Sequence, residues 1–434
     1  MKKNLLIDAI REFEKETGYK LKVRNGKLYY NDNLDLTDID ITRLPEELTV
    51  GGDLYLRGSN ITRLPKGLSV GDSLYLTGSN ITRLSKNLTI GGSCFLSNSK
   101  ITRLPKGMIV NRTLFLEGAG ITRLPKDLIV GDSLLLKGSC ITQLPENLTI
   151  NGNLDIRDTN IIQLPKGLTI GGSLLLGGTR ITLLPEELTV GGNLDIRSTS
   201  ITQLPKGLVV GGSLLLDSTR ITQLPEGLTV SNSLFLENTD ITQLPENLIV
   251  GAALILKGTN IAQLPKNLTV GGSLIIEDTG ITDTSKVNRN TPNFYEWRNG
   301  KYIKADDIFS EVISHKGNVY KIRQIGKTEE RYLVTDGNGK WSHGETMQEA
   351  KDGLIYKLNY RDKSEYKSLT FDSELTLPEA IEAYRIITGA CSTGVRMFLK
   401  GNADIKKEKY TIREIIKITD GQYNSNMFRN FFRK

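Results

Sequence analysis

The sequence is poor in the residues that usually build disulfide, metal and cofactor sites. Its 434 residues include only three cysteines, two histidines and two tryptophans. An odd number of cysteines without suggestive spacing argues against a disulfide framework and favours reducing conditions. Neither His315 nor His343 has a second ligand group at metal spacing, and no glycine-rich phosphate loop opens a helix. The sequence therefore predicts no bound metal and no cofactor.

Long apolar stretches are also missing. No run of about 18 apolar residues is present, so nothing in the sequence predicts a membrane span. The N-terminus has no apolar core long enough for a signal peptide. We therefore expect a cytoplasmic protein, and the alternative is secretion into a host cell by a route that uses no cleaved signal.

What the chain has in abundance is one short repeat. Isoleucine recurs at every twentieth position from Ile41 to Ile281, and leucine does so from Leu44 to Leu264. Eleven of the 13 prolines fall in one column between Pro45 and Pro265, with Ser85 as the exception. A strict period of this length predicts a solenoid, because one unit cannot bury its own apolar side chains without its neighbours.

Each repeat predicts a short strand, a turn and a second apolar segment. In one unit, Leu74 and Leu76 alternate with other residues, as in a strand with one buried face. The hydroxyl residue that follows, here Ser79, can hydrogen-bond backbone groups of the turn. Leu68 and Val70 form a second apolar pair. Stacked units predict a parallel sheet with strands about 4.8 Å apart.

The pattern Leu-x-Leu-x-x-(Ser/Thr)-x-Ile-x-x-Leu-Pro-x-x-Leu resembles a leucine-rich repeat. It is most similar to the short twenty-residue bacterial class found in secreted effectors of pathogens, although Ser or Thr replaces the usual Asn. The resemblance covers residues 31–283 and implies a horseshoe-shaped solenoid with a parallel concave β-sheet. It also implies a surface that binds other macromolecules. The near-identity of the units fits a recently expanded tandem array, such as those of mobile or phage-borne genes.

Residues between the two strand leucines are predicted to face the concave side. The first four of them are aromatic: Tyr55, Tyr75, Phe95 and Phe115. These rings form either an exposed interface stripe about 15 Å long or a ladder in which neighbouring rings stack.

The next exposed column carries charges of both signs and contains three further candidates for partner binding: Arg57, Arg157 and Arg197. Two of these arginines lie two residues after an aspartate, Asp155 or Asp195. We expect these carboxylates and guanidinium groups to form cross-strand pairs rather than catalytic groups.

A cap and a second domain are predicted to flank the repeats. We expect a helix-hairpin cap over residues 1–30, repeats over 31–283, a linker over 284–293 and a basic α+β domain over 294–434. The cap combines a helix at 3–17 with a hairpin turned at Asn25-Gly26. The predicted elements of the second domain are strands at 302–308, 313–325 and 331–341 and helices near 347–358, 377–388, 392–400, 412–419 and 424–432. Three capping boxes, at Thr346/Glu349, Thr376/Glu379 and Thr411/Glu414, support the helices.

One candidate catalytic pair lies in this domain, Cys391 with His343. Cys391 precedes an apolar helix, where unpaired N–H groups and the helix dipole lower a thiol pKa. His343 would act as the base, with Asp352 or Asp372 orienting it. The same two residues also fit a buried structural cysteine and an exposed turn histidine, and no protease signature is present.

Positive charge is concentrated in the C-terminal third. Residues from 281 onward include 27 Lys and Arg against 21 Asp and Glu, a net of +6. Such a bias favours an acidic partner or simply provides solubility. Basic segments with aromatics, such as 406–410 and 428–434, are candidates for binding nucleic acid through residues 284–434. The alternative is that these phenylalanines form the apolar face of a helix.

The lead interpretation is a non-enzymatic recognition scaffold that binds a protein partner on the concave repeat surface. A cysteine-dependent hydrolase built on Cys391 and His343, and nucleic-acid binding by the C-terminal domain, are the two alternatives. The oligomeric state stays open at this stage.

Overall fold

The computed structural model folds the repeats into a parallel-strand solenoid. It describes residues 2–24, 27–292, 294–325, 327–358, 362–390, 392–402 and 405–433. The chain divides into two compact units, Met1–Thr291 and Pro292–Lys434. The first unit contains the repeats and the second contains an antiparallel sheet with helices.

One strand from each turn joins a parallel sheet of 13 strands, which we call the long sheet. Paired residues are one repeat apart, as in Leu54 with Leu74. The strands are Leu34–Asp35, Leu54–Tyr55, Leu74–Tyr75, Cys94–Phe95, Leu114–Phe115, Leu134–Leu135, Leu154–Asp155, Leu174–Leu175, Leu194–Asp195, Leu214–Leu215, Leu234–Phe235, Leu254–Ile255 and Leu274–Ile275. This register confirms the predicted parallel sheet of stacked repeats.

The second apolar segment of each turn also forms a strand, which the sequence did not predict. We call these the outer strands, and they assemble into two parallel sheets. They are Leu48–Val50, Ser69–Val70, Thr89–Ile90, Ile109–Val110 and Ile129–Val130 in one sheet, and Thr149–Ile150, Thr169–Ile170, Thr189–Val190, Val209–Val210, Thr229–Val230, Ile249–Val250 and Thr269–Val270 in the other.

The solenoid core lies between the long sheet and the outer strands. Leu54 and Leu56 of one turn, and Leu48 and Val50 before them, are fully buried in a single apolar cluster that runs through all turns. Cys94 occupies a leucine position and is fully buried, as predicted. Each turn therefore contributes one layer to a continuous core, which explains the strict period.

Segments outside the repeats pair with the outer strands at both ends of the stack. Helix α1 (Lys2–Thr17) buries Phe13 in the repeat core, and strand Lys27–Tyr30 of the N-terminal hairpin pairs with Leu48–Val50. The turn of that hairpin, Asn25-Gly26, lies outside the described residues. At the other end, residues 284–291 have linker composition yet follow the last turn, because Asn288 forms a bridge with Thr269.

The second unit begins with six antiparallel strands that pair in chain order. They are Phe294–Trp297, Tyr302–Ala305, Ile308–Lys316, Val319–Gln324, Glu330–Thr335 and Trp341–Gly344. The predicted strand 302–308 is wrong in one respect, because Asp306 and Asp307 adopt positive φ and turn the chain. Each of the predicted runs 313–325 and 331–341 contains a turn, and the structure has both turns at the positions that the sequence predicts.

The helices that follow lie close to the predicted positions. They are α2 (Met347–Leu358), α3 (Leu377–Thr388), α4 (Ser392–Gly401), α5 (Ile412–Ile418) and α6 (Ser425–Phe431), with a 3-10 turn at Ser364–Ser368 and a strand pair of Glu374–Thr376 with Lys409–Thr411. Complete capping boxes start α3 and α5. The α+β class predicted for this part of the chain is confirmed.

Candidate functional site

The aromatic column forms a continuous stack on the face of the long sheet that points away from the core. Ring centroids are 4.3 Å apart for Tyr55 and Tyr75, 4.4 Å for Tyr75 and Phe95, and 4.3 Å for Phe95 and Phe115. The rings are nearly parallel, and all four side chains are half-buried. The in-register strands impose this arrangement, because equivalent side chains lie one strand spacing apart.

Tyr55 terminates the stack with a polar contact. Its hydroxyl donates a hydrogen bond to Asp53 Oδ2 at 3.1 Å. Burial, followed by the nearby Asp53 carboxylate, raises the pKa of Tyr55 to about 12. The phenol is therefore neutral at physiological pH and presents an apolar face with one fixed polar edge.

The centre of the long sheet is charged instead of aromatic. Arg157 Nε and Nη2 donate to the two carboxylate oxygens of Asp155 at 2.9 and 2.6 Å. Arg197 binds Asp195 in the same bidentate way, at 2.9 and 2.7 Å. The hydrogen bond to Asp155 raises the pKa of Arg157, and Asp195 has the same effect on Arg197.

The predicted cross-strand pairing of these groups is wrong. Asp155 lies opposite Leu135 and Leu175 in the sheet, so no arginine faces it on a neighbouring strand. Each pair instead forms between residues two positions apart on one turn, where both side chains leave the same face of the strand. Arg57 is exposed at the equivalent position beside the aromatic stack.

His343 is a buried strand residue, and the alternative of an exposed turn histidine is therefore wrong. It lies in Trp341–Gly344 and is 2% exposed. Burial, with smaller effects from Lys357 and Arg331, lowers the pKa of His343 to about 3. Its Nδ1 is 3.8 Å from Asp306 Oδ2. Neither ring nitrogen has a hydrogen-bond partner among the residues that the structure describes.

The structure does not bring the proposed orienting carboxylates to His343. Asp352 accepts a hydrogen bond from Gln348, and Asp372 pairs with Arg413 at the surface. Cys391 lies outside the described residues, so the hydrolase hypothesis stays a prediction. Of the other two thiols, Cys94 is buried and Cys140 is exposed.

The aromatic residues of the basic C-terminal segments are core residues. Tyr410, Phe428 and Phe432 are buried in the cluster that joins α3, α5 and α6. These phenylalanines therefore pack on the apolar side of the last helix, with Phe431 half-buried, and nucleic-acid binding by residues 284–434 stays a prediction.

A cavity of about 300 Å³ lies in the second unit, and sequence reasoning missed it. Its wall is mostly apolar and includes Ala380, Tyr384, Val395, Phe398 and Ile415. Asp306 and Lys357 form a charged pair on the wall, with Nζ 2.5 Å from Oδ2. The volume is at the lower end of the range for small-molecule pockets, which is about 300–1,000 Å³. No local motif signals it, because its wall comes from segments far apart in the chain.

Other features of the described residues bear on the nature of the site. They contain no group of three or more His, Cys, Asp or Glu side chains placed to hold a metal ion. None of their helices is both long enough and apolar enough to cross a bilayer.

Comparisons with known proteins returned similarities in structure only. No protein-family model matches the chain, and no curated protein matches it in sequence. The solved structure of YopM, described as a leucine-rich effector protein of Yersinia pestis, is 15% identical with a TM-score of 0.36, over 67% of this chain and 94% of that one. YopM of Yersinia enterocolitica is 15% identical with a TM-score of 0.24, over 65% and 97%. A leucine-rich-repeat protein of Leptospira interrogans is 17% identical with a TM-score of 0.22, over 58% and 91%.

The class of the protein follows from its own strands. Parallel strands that pair at a constant offset of one repeat around a leucine core define a leucine-rich-repeat solenoid with turns of 20 residues. The class predicted from the sequence is thereby confirmed.

Proposed function

We propose that the exposed face of the long sheet is a protein-recognition surface centred on Tyr55, Tyr75, Phe95 and Phe115. The observation that carries this proposal is the unbroken contact of four half-buried rings on one sheet face. Aromatic side chains are enriched in the cores of protein interfaces and among residues that dominate binding energy. Rings already held by stacking lose little conformational entropy when a partner covers them.

The arginines give this surface a polar border. Arg57 is exposed next to the stack, and no ion pair or hydrogen bond holds its side chain among the described residues. Arg157 and Arg197 are already bound by aspartates, which fixes their guanidinium groups in one orientation. Their remaining N–H donors supply directional contacts, so this part of the sheet contributes specificity more than affinity.

Capture of partners from host-cell lysates tests the proposal with three forms of the full-length chain. The first is the unmodified protein, and the second replaces Tyr55, Tyr75, Phe95 and Phe115 with alanine. The third is a matched control with alanine at Leu215, Phe235, Ile255 and Ile275, which occupy the same column and are also half-buried. Circular dichroism and urea unfolding establish that all three forms are folded.

We expect at least one protein to be retained by the unmodified chain and by the control, and to be lost with the stack variant. Titration of that protein should then show an affinity at least 100-fold weaker for the stack variant, because aromatic residues at interface centres each contribute about 2 kcal/mol or more. Retention of the same proteins by all three forms would show that the stack is not the binding surface.

A further inference from the structure

A second surface of the solenoid carries a row of unneutralised cations. It lies on the segments that join each strand of the long sheet to the next outer strand. Four consecutive turns place an arginine and a lysine there, three positions apart: Arg63 and Lys66, Arg83 and Lys86, Arg103 and Lys106, Arg123 and Lys126. We call these eight residues the basic ladder. All eight are exposed.

The ladder has a sharp boundary at each end. Before it, the equivalent Arg43 donates two hydrogen bonds to the carboxylate of Glu12 in α1, at 2.6 and 2.8 Å. After it, the arginine column changes to glutamine at Gln143, Gln163, Gln203, Gln223, Gln243 and Gln263, and to leucine at Leu183. Beyond the ladder the lysine column contains both signs of charge, with glutamate at Glu146, Glu186, Glu226 and Glu246 and lysine at Lys166, Lys206 and Lys266.

The charge of the ladder is not compensated nearby in the sequence. Residues 61–140 contain 11 Lys and Arg against 4 Asp and Glu, a net of +7. Residues 141–280 contain 8 against 13, a net of −5. None of the eight ladder side chains has an ion-pair partner within the part of the chain that the structure describes. The small net charge of the repeats as a whole therefore hides a basic region beside an acidic one.

The spacing of the ladder is set by the solenoid. Turns pair in register, as in Leu74 with Cys94 and Cys94 with Leu114, so successive arginines are about 4.8 Å apart at the backbone. Four turns therefore span about 14 Å. The lysine row runs parallel to the arginine row at a distance of at most about 10 Å, because the two are three positions apart in each turn.

A nucleic-acid duplex matches this charge density. It carries one charge per about 1.7 Å of its axis when both strands are counted, so about 14 Å of duplex contains about eight phosphates on its two strands. An extended acidic peptide places side chains on one face only about every 6.8 Å, which gives about two carboxylates over the same length. Arginine also binds phosphate oxygens in a bidentate manner, and four of the ladder positions are arginines.

We propose that the basic ladder binds the phosphate backbone of a nucleic-acid duplex without reading its sequence. The repeat segments of the ladder contain no aromatic residue, whereas proteins that bind single strands use aromatic rings to stack on bases. Ile109 and Ile129 are exposed beside the ladder. Because basic and apolar side chains together bind membrane surfaces, an anionic lipid surface is the main partner that competes with a duplex in this proposal. This proposal concerns a different surface from the aromatic stack and stands independently of it.

Fluorescence anisotropy with a short labelled duplex of two helical turns, in DNA and RNA forms, tests the proposal on the full-length chain. The ladder variant replaces Arg63, Arg83, Arg103 and Arg123 with glutamine, the residue that this column already holds in later turns, so the fold is retained. A control variant removes the same charge from four other exposed positions, Lys166, Arg180, Lys206 and Lys266, also with glutamine.

We expect a plot of the logarithm of the binding constant against the logarithm of salt concentration to have a slope of about −7 for the unmodified chain. For the ladder variant, the magnitude of that slope should be smaller by about 4, and binding should be at least tenfold weaker at about 0.1 M salt. The control should stay within threefold of the unmodified chain.

Three results would overturn the proposal. One is the absence of duplex binding at about 0.05 M salt, where phosphate contacts are strong. Another is equal weakening by the ladder and control variants. The third is binding to mixed vesicles of phosphatidylcholine and phosphatidylserine in a two-to-one ratio, lost in the ladder variant, together with no binding to either duplex. That last result would assign the ladder to a lipid surface.

Discussion

In the Ser/Thr column that follows each strand of the long sheet, threonine and serine differ in whether the side-chain hydroxyl forms a hydrogen bond. From Thr159 to Thr279 every threonine donates a hydrogen bond to the carbonyl three positions earlier, as Thr219 does to Leu216 at 2.6 Å. Ser59 makes the same bond at 2.9 Å, but the buried hydroxyls of Ser79, Ser99 and Ser139 have no partner among the described residues. The branched threonine side chain has fewer accessible rotamers, which holds its hydroxyl toward the carbonyl.

This difference predicts opposite outcomes for two conservative substitutions. Thr219→Val keeps the side-chain shape but removes the hydrogen bond, so it should lower the free energy of unfolding by about 1 kcal/mol. Ser99→Ala removes a buried hydroxyl without a partner in the described structure, so it should be neutral or slightly stabilising. Urea unfolding followed by far-ultraviolet circular dichroism checks both. Equal losses for the two variants would contradict the distinction.

A second prediction at the residue scale concerns the pH dependence of stability. The pKa of His343 is about 3 in the folded chain, against 6.5 for an ordinary histidine. Below pH 6.5 the unfolded chain therefore binds a proton that the folded chain does not. Stability of the second unit should fall by about 1.4 kcal/mol per pH unit as the pH drops from about 6.5 toward about 3.

Tryptophan fluorescence measures this effect selectively, because Trp297 and Trp341 both lie in the second unit. In His343→Leu, the loss of stability per pH unit should be smaller by about 1.4 kcal/mol. The carboxylates that face this region, Asp306 above all, should still contribute to the pH dependence of stability. The exposed His315→Leu variant is the control for the loss of a histidine. An unchanged slope in His343→Leu would show that His343 does not carry the effect.

At the scale of elements, the polar pairs of the long sheet show how a strand accommodates buried charge. Asp155 has a side chain 9% exposed, and Asp195 has one 11% exposed. Their neighbours in the sheet are leucines, which provide no counter-charge. An arginine two positions later on the same turn satisfies each carboxylate locally, and Arg197 also lies 4.0 Å from Asp217 of the next turn.

Residues of α3, α4 and α5 line the cavity of the second unit, and filling this cavity should stabilise the unit. Ala380 of α3 is buried on the cavity wall. Ala380→Leu adds three carbons to an apolar space, and each buried methylene contributes about 0.8 kcal/mol, so a gain of about 1–2 kcal/mol is expected. Urea unfolding followed by tryptophan fluorescence checks the gain.

The same variant should also weaken binding of the dye anilinonaphthalene sulfonate, which has an apolar ring system and an anionic sulfonate, to the folded protein. Ala383→Leu is the comparison, because Ala383 is fully buried on the same helix but is absent from the cavity wall. It should destabilise the unit through overpacking. Destabilisation by both variants would show that the cavity is closed in solution.

At the scale of the whole molecule, the solenoid is a one-dimensional stack in which each turn contacts its two neighbours. Removal of one complete turn should therefore leave a folded chain. Deletion of residues 221–240 joins Arg220 to Ile241 and keeps every column in phase. We expect a cooperative unfolding transition with a modest loss of stability, since one layer of core is removed.

Deletion of residues 221–230 is the matched control. It shifts all later columns by half a period, so buried leucines would meet turn residues across the break. Circular dichroism and size-exclusion chromatography should show loss of structure in this variant alone. Equal damage from the two deletions would contradict the one-dimensional stack.

Much of the architecture could be predicted because residues that are one repeat apart in the sequence are neighbours in the structure. Leu54, Leu74 and Cys94 are adjacent in the sheet because they are one repeat apart, and the aromatic stack follows from the same rule. The helices of the second unit were also predictable, since the capping boxes at Thr376 and Thr411 are local signals. The strand break at Asp306-Asp307 was not, because this dipeptide is a weaker turn signal than Asn-Gly.

The sequence by itself determined the solenoid, its register and the identity of the residues on each face, because a strict period repeats the same local interactions in every turn. Only the tertiary structure decided that the Asp–Arg pairs form within one turn, that His343 is buried and neutral beside Asp306, and that a cavity opens near Ala380. The Asp–Arg pairs join residues two positions apart, and side-chain orientation within the turn decides them. The other two features join side chains from segments without a fixed offset, so their proximity depends on how whole elements pack. Such contacts are set by the shape of the folded core and leave no periodic trace along the chain.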